Sequence, residues 1–141
     1  MRASFTLALA LFLLHDASKQ DLDKMQGDWA AVSYTADGQQ LPDDDAQAFF
    51  RSIKGNEYTV FRFDKAIGKG TFTLDASRNP KTIDAIPTLR GGKGKPIFGI
   101  YEIKDNRLRF CFAAPGKDRP ADFASPPDSG RTLTVWEREK K

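Results

Sequence analysis

Apolar and polar residues alternate with a period of two over most of this chain, as they do in strands with one buried and one wet face. The clearest stretch is Lys95 to Phe112, KPIFGIYEIKDNRLRFCF. Ile97, Gly99, Tyr101 and Ile103 share one face of a strand, and Phe98, Ile100 and Glu102 share the other. Leu108, Phe110 and Phe112 then alternate with Arg107, Arg109 and Cys111. Lys104-Asp105-Asn106-Arg107 supplies a tight turn, because Asp and Asn tolerate backbone angles that β-branched residues resist. The pattern predicts a central hairpin whose apolar face the rest of the chain covers.

Asp21 to Gln26 predicts a short helical lead-in, with Leu22 and Met25 spaced to cover one end of the domain. Gly27-Asp28-Trp29 opens a strand in which Trp29, Ala31 and Ser33 alternate with Ala30, Val32 and Tyr34, and Ala36 to Gln39 is a turn. Pro42 and Asp43 to Asp45 read as a helix start, with carboxylates at the positive end of the dipole. Ala46, Phe49, Phe50 and Ile53 recur at i, i+3, i+4 and i+7, so this short helix is expected to lay an apolar stripe on the sheet. A calcium loop at the same aspartates lacks the alternate spacing, the central Gly and the terminal Glu. Further strands are expected over Glu57 to Phe63, Gly70 to Leu74, Lys81 to Ile86 and Thr132 to Arg138. Asp64 to Lys69, Asp75 to Pro80 and Thr88 to Pro96 read as turns or loops. Ala113 to Arg131 carries Pro115, Pro120, Pro126 and Pro127, too many for a regular element. The fold expected is all-β, an up-and-down antiparallel barrel of about eight strands with one short helix after the first strand. Closure removes exposed strand edges, and such a barrel is wide enough to be filled by side chains or to hold one small ligand.

Composition changes this picture little. A length of 141 residues suits one domain with a sizeable core. The net charge of +3 is spread over interspersed acids and bases, which suits solubility and calls for no polyanionic partner. The N-terminus changes it more. Met1-Arg2 precedes an apolar run from Phe5 to Leu14, and His15-Asp16-Ala17-Ser18 follows. This reads as a signal peptide over residues 1–17, too short for a membrane span, with the barrel domain over residues 18–141. The expectation is an exported protein, periplasmic or extracellular. His15 is the only histidine and falls in the leader; Cys111 is the only cysteine, so no intrachain disulfide can form.

Those subtractions narrow the chemistry. Without histidine, Ser-His-Asp and Cys-His catalysis cannot be assembled, nor a zinc site built on His or paired Cys. Cys111, between Phe110 and Phe112, reads as a small buried residue. GGKGKP (Gly91 to Pro96) lacks the Ser or Thr and the helix start of a phosphate-binding loop. Asp75, Asp84 and Glu102 could serve carboxylate-based glycoside hydrolysis, but Asp75 in a turn and Glu102 on a charged strand face are ordinary in their settings. No catalytic residues, metal or cofactor are expected.

Gly27-Asp28-Trp29 at the head of the first strand, with an arginine ending the last, resembles the lipocalin pattern. The ordered set LDKMQGDW, FTLDASRNPKTID, GIYEIKDNRLRFC, GKDRPADF and LTVWER more closely resembles the uncharacterised lipocalin-like domain family abundant in planctomycete bacteria. It covers roughly Leu22 to Arg138. The usual lipocalin disulfide and the TDY-like mid-barrel motif are missing. The resemblance implies a non-catalytic binding module for a small apolar or amphiphilic molecule, with Gly27, Trp29 and Arg138 closing the barrel and the Arg138 guanidinium over the Trp29 indole. The alternative is a filled barrel acting through its surface as an envelope-associated protein-interaction domain. A monomer is expected. Nucleic-acid binding through Arg107, Arg109, Lys93 and Lys95 is disfavoured by export. For the ligand site, Asp84, Tyr101 and Arg119 are expected to converge near the mouth, with Arg119 paired to Asp84. The competing reading is that Arg119 pins the long loop to the barrel wall through Asp84.

Overall fold

The computed structural model describes residues 16–89 and 94–139. The apolar run from Phe5 to Leu14 and the glycine-rich part of the Thr88 to Pro96 loop, Lys93 included, lie outside the described residues. A helix over residues 16–25, α1, precedes β1 (Gly27–Ala36), β2 (Gln39–Gln40), the one-turn helix α2 (Asp43–Ala46), β3 (Phe49–Lys54), β4 (Glu57–Arg62) and β5 (Lys65–Asp75). There follow β6 (Lys81–Pro87), β7 (Ile97–Lys104), β8 (Arg107–Phe112) and β9 (Thr132–Arg138).

Each strand from β3 to β9 pairs antiparallel with the next, and β1 pairs with both β3 and β9. The result is a closed, up-and-down eight-stranded barrel of β1 and β3–β9, as expected. The two-residue β2 is an arm on the end of β1, reached through Asp37-Gly38, both in the left-handed region at φ of 50° and 82°. No described helix is long and apolar enough to cross a membrane.

The inward face carries Trp29, Phe49, Ile53, Phe72, Ile83, Tyr101, Leu108, Phe110 and Trp136, all buried. A bulge between Ala31 and Ser33 shifts the register of β1. An extra residue on one strand turns the following side chains over, and Tyr34 rather than Ser33 joins the interior, stacked on Phe49 at 4.5 Å.

Two expectations are corrected. The stripe of Ala46, Phe49, Phe50 and Ile53 is not helical, because α2 ends at Ala46 and Phe49–Lys54 is strand β3. Residues four apart share a face in both a helix and a strand, so buried Phe49 and Ile53 fit either pattern. Backbone pairing to both neighbours decides: Phe50 lies opposite Ala30 and Phe61. The Asp64 to Lys69 turn shrinks to Phe63-Asp64, and β5 begins at Lys65. Its lysines and glycines conceal a ladder that pairs Ala66 with Phe61 and Gly68 with Val60 across a second bulge.

The long Ala113 to Arg131 excursion packs on the outside of the wall. Outward-facing Ile100 and Cys111 are buried, the Cys111 thiol donates to the Ala124 carbonyl at 3.4 Å, and Arg109 lies 3.8 Å from the Phe123 ring centroid. Burial pushes the Cys111 thiol above its ordinary pKa, as suits an inert packed residue.

Candidate functional site

One end of the barrel is sealed by α1. Met25 is fully buried, and its carbonyl accepts a hydrogen bond from the Trp29 indole at 2.9 Å. Asp21, also buried, accepts from the Tyr101 hydroxyl at 2.7 Å and from Lys81 Nζ at 2.9 Å. Arg138 lies beside Trp29 in the ladder, with its guanidinium 4.3 Å from the indole centroid. It donates to the Gln26 carbonyl at 2.6 Å and to the Lys24 carbonyl. These are the orphan acceptors of a helix C-terminus, where a cation is favoured. Gly27 leaves the room: a Cβ there would lie 3.1 Å from Arg138 Nη1, at a φ of 113° that disfavours other residues.

Above this floor lies a cavity of about 360 Å³, within the range of small-molecule pockets. Its walls are largely apolar, with Val60, Ile67, Ile97 and Phe112 among them, and Ala113 to Pro115, Gly130 and Thr132 lie at the end opposite α1. The interior is therefore not filled, despite its many aromatic rings.

One side chain in the cavity is out of keeping with its walls. Arg51 faces inward from β3, opposite Trp29 on β1 and Val60 on β4. Its guanidinium lies 4.8 Å from the Trp136 ring centroid, 4.9 Å from Phe110 and 5.6 Å from Tyr58. The side chain keeps partial access because it lines the cavity, yet burial lowers its pKa from 12.5 to about 10. It therefore stays charged at neutral pH. Tyr34 and Tyr58 beside it are held above their ordinary pKa, mainly by burial, so both stay neutral. Among the described residues no Asp or Glu lines the cavity, no ion pair involves Arg51, and its buried Nε has no hydrogen-bond partner.

The expected trio does not form. Asp84 and Arg119 meet, with Arg119 Nη2 donating to Asp84 Oδ1 at 2.6 Å, but they meet on the outer wall. There Arg119 Nη1 also donates to the carbonyls of Gly99 at 2.8 Å and Ile83 at 3.1 Å, and the guanidinium sits 5.0 Å from the Phe98 ring centroid. Tyr101 points inward and serves the floor through Asp21, because successive strand residues face opposite sides and Asp84 aligns with Phe98 rather than Tyr101. Arg119 thus has the geometry of the loop-pinning alternative.

Arg51 was hidden by the helical reading of Phe49 to Ile53. Read with a period of two, Phe49-Arg51-Ile53 places an arginine on the apolar face of a strand, which is the signal that marks it. No family model, curated protein or solved structure matches the chain. What fold and site define is a closed eight-stranded barrel, sealed at one end, with an apolar cavity that holds, among the described residues, one cation without an ion-pair partner.

Proposed function

We propose that this protein is a non-catalytic binding module that takes a small, largely apolar molecule into its barrel, as a lipocalin-like domain would. The observation that carries this reading is the cavity of about 360 Å³, an opening that a purely structural barrel would close with side chains. The sequence resemblance to the planctomycete lipocalin-like domain family and the expected leader over residues 1–17 support an exported protein of that kind. Acting as a filled barrel through its surface accounts less well for an unfilled interior.

Native mass spectrometry of the protein taken from its own cells is expected to find a co-purifying small mass, on a chain lacking about its first 17 residues. Ala85 is buried in the cavity wall, and Ala85→Leu is expected to abolish uptake of an apolar fluorescent probe while the barrel stays folded. Equal uptake by the wild-type protein and the folded variant would remove the cavity as the site.

A further inference from the structure

We propose that the cavity selects molecules with an anionic, carboxylate-type headgroup, which Arg51 holds at mid-depth while an apolar tail runs toward the mouth between Val60, Ile67, Ile97 and Phe112. This rests on the binding function proposed above and adds the ligand's chemical class.

A buried charge is costly unless it is paired, and none of the described cavity walls supplies an anion. The rings of Tyr58, Phe110 and Trp136 do not fill that role. Aromatic faces attract the cation as a whole, whereas the five N–H donors of a guanidinium radiate in its own plane and require acceptors there. Among the described residues, the other polar side-chain groups of the cavity are the hydroxyls of Tyr34, Tyr58, Thr132 and Thr134 and the Trp136 indole N–H. All are neutral, and the Thr134 oxygen already accepts from the Trp136 indole at 2.8 Å. A carboxylate supplies what is missing, because its two oxygens match the guanidinium fork in a paired, charge-assisted arrangement. The aromatic rings then act as a rigid collar that aims the fork. The walls on the mouth side are mostly apolar, which sets the direction of the tail.

Volume sets the size. At about 30 Å³ per non-hydrogen atom, the share of one water molecule in the liquid, the cavity accommodates about a dozen such atoms. Decanoate has that size, and 1-decanol is its uncharged partner.

Both probes are titrated calorimetrically into the full-length protein and into Arg51→Met. Wild-type protein is expected to bind decanoate at least about tenfold more tightly than decanol, the low end of what a hydrogen bond to a charged group contributes. Arg51→Met is expected to erase that preference by weakening decanoate alone. Equal binding of the two probes by wild-type protein, or a preference that survives in Arg51→Met, overturns the headgroup assignment and leaves barrel binding standing. Absence of binding by either probe overturns both. Should Arg51→Met fail to fold, the wild-type preference decides alone, and its decline with added salt is the second readout.

Discussion

Replacing Arg51 by methionine is expected to leave the ligand-free protein about as stable as the wild type. Methionine has similar length and adapts to irregular apolar space, so the perturbation is chiefly removal of a charge. Burial lowers the Arg51 pKa from 12.5 to about 10, which corresponds to about 3 kcal/mol by which the folded state disfavours the charged form. Partial access through the cavity makes that an upper figure. Against it stand the three ring faces around the guanidinium, each worth about 0.5–2 kcal/mol. The two sides nearly cancel, and the methyl-thioether adds apolar contact that the guanidinium lacks. The net expectation is a stability within about 1 kcal/mol of the wild type, as when a functional charge is traded for a packed core. Urea denaturation followed by fluorescence of Trp29 and Trp136, both fully buried, measures it. An unfolding free energy lowered by more than about 1 kcal/mol at unchanged slope would refute the reasoning, because the ring contacts would then make Arg51 a structural strut. Decanoate at 100 times its Kd is expected to raise wild-type stability by about 2.7 kcal/mol, and to raise that of Arg51→Met much less.

Other perturbations test the rest of the architecture. Trp29→Ala is expected to cost about 3–5 kcal/mol from the cavity it leaves, and Arg138→Ala about 1–3 kcal/mol through its lost carbonyl and indole contacts; an unchanged urea midpoint for Arg138→Ala would dismiss the closure role. Arg119→Ala is expected to speed proteolytic nicking within residues 113–131 without altering ligand affinity. The Arg119–Asp84 pair is itself partly exposed, at 29% and 44% of the two side chains, so most of the loss comes from the two carbonyl hydrogen bonds. Unchanged nicking together with lost ligand would return Arg119 to the binding site. Stability is expected to fall as pH rises above 10: Tyr34, Tyr58 and Tyr101 are each held above the ordinary phenol value of 10.0, burial being the main cause. The unfolded chain then releases protons that the folded one keeps, so the tyrosines' stabilisation is complete below pH 10 and lost above it. Arg51 works in the opposite sense between about pH 10 and 12.5, one group against three, and a midpoint constant across that range would contradict the balance.

The barrel could be read from the sequence because its inward positions alternate with outward ones along nearly every strand. The site could not be read so easily, because it departs from that alternation. Arg51 breaks an apolar face, and a helical spacing over Ala46, Phe49, Phe50 and Ile53 leaves position 51 off its apolar stripe. Tyr34 was missed for a related reason. Its facing depends on a bulge, which adds one residue to a strand without leaving a mark in hydrophobicity. The Asp84–Arg119 pair was legible because a proline-rich loop must be tied down somewhere. Which side of the wall it occupies follows from the parity of Asp84 against Ile83 and Ala85, and Tyr101 belongs to the opposite parity.

The ladder between β1 and β9, and the hold of Arg138 on α1, join groups as many as 114 residues apart in sequence. Contacts of such range form late and slowly, since a long loop must close before they can contribute. As the chain leaves the ribosome, every strand up to β8 can emerge while β1 still has no partner in β9. Until Thr132–Arg138 arrives, two strands present bare edges capable of templating association. The completed ring is thus an all-or-nothing event that waits for the last strand of the barrel. A chain stopped before Thr132 is expected to aggregate rather than to persist as a smaller, partly folded sheet.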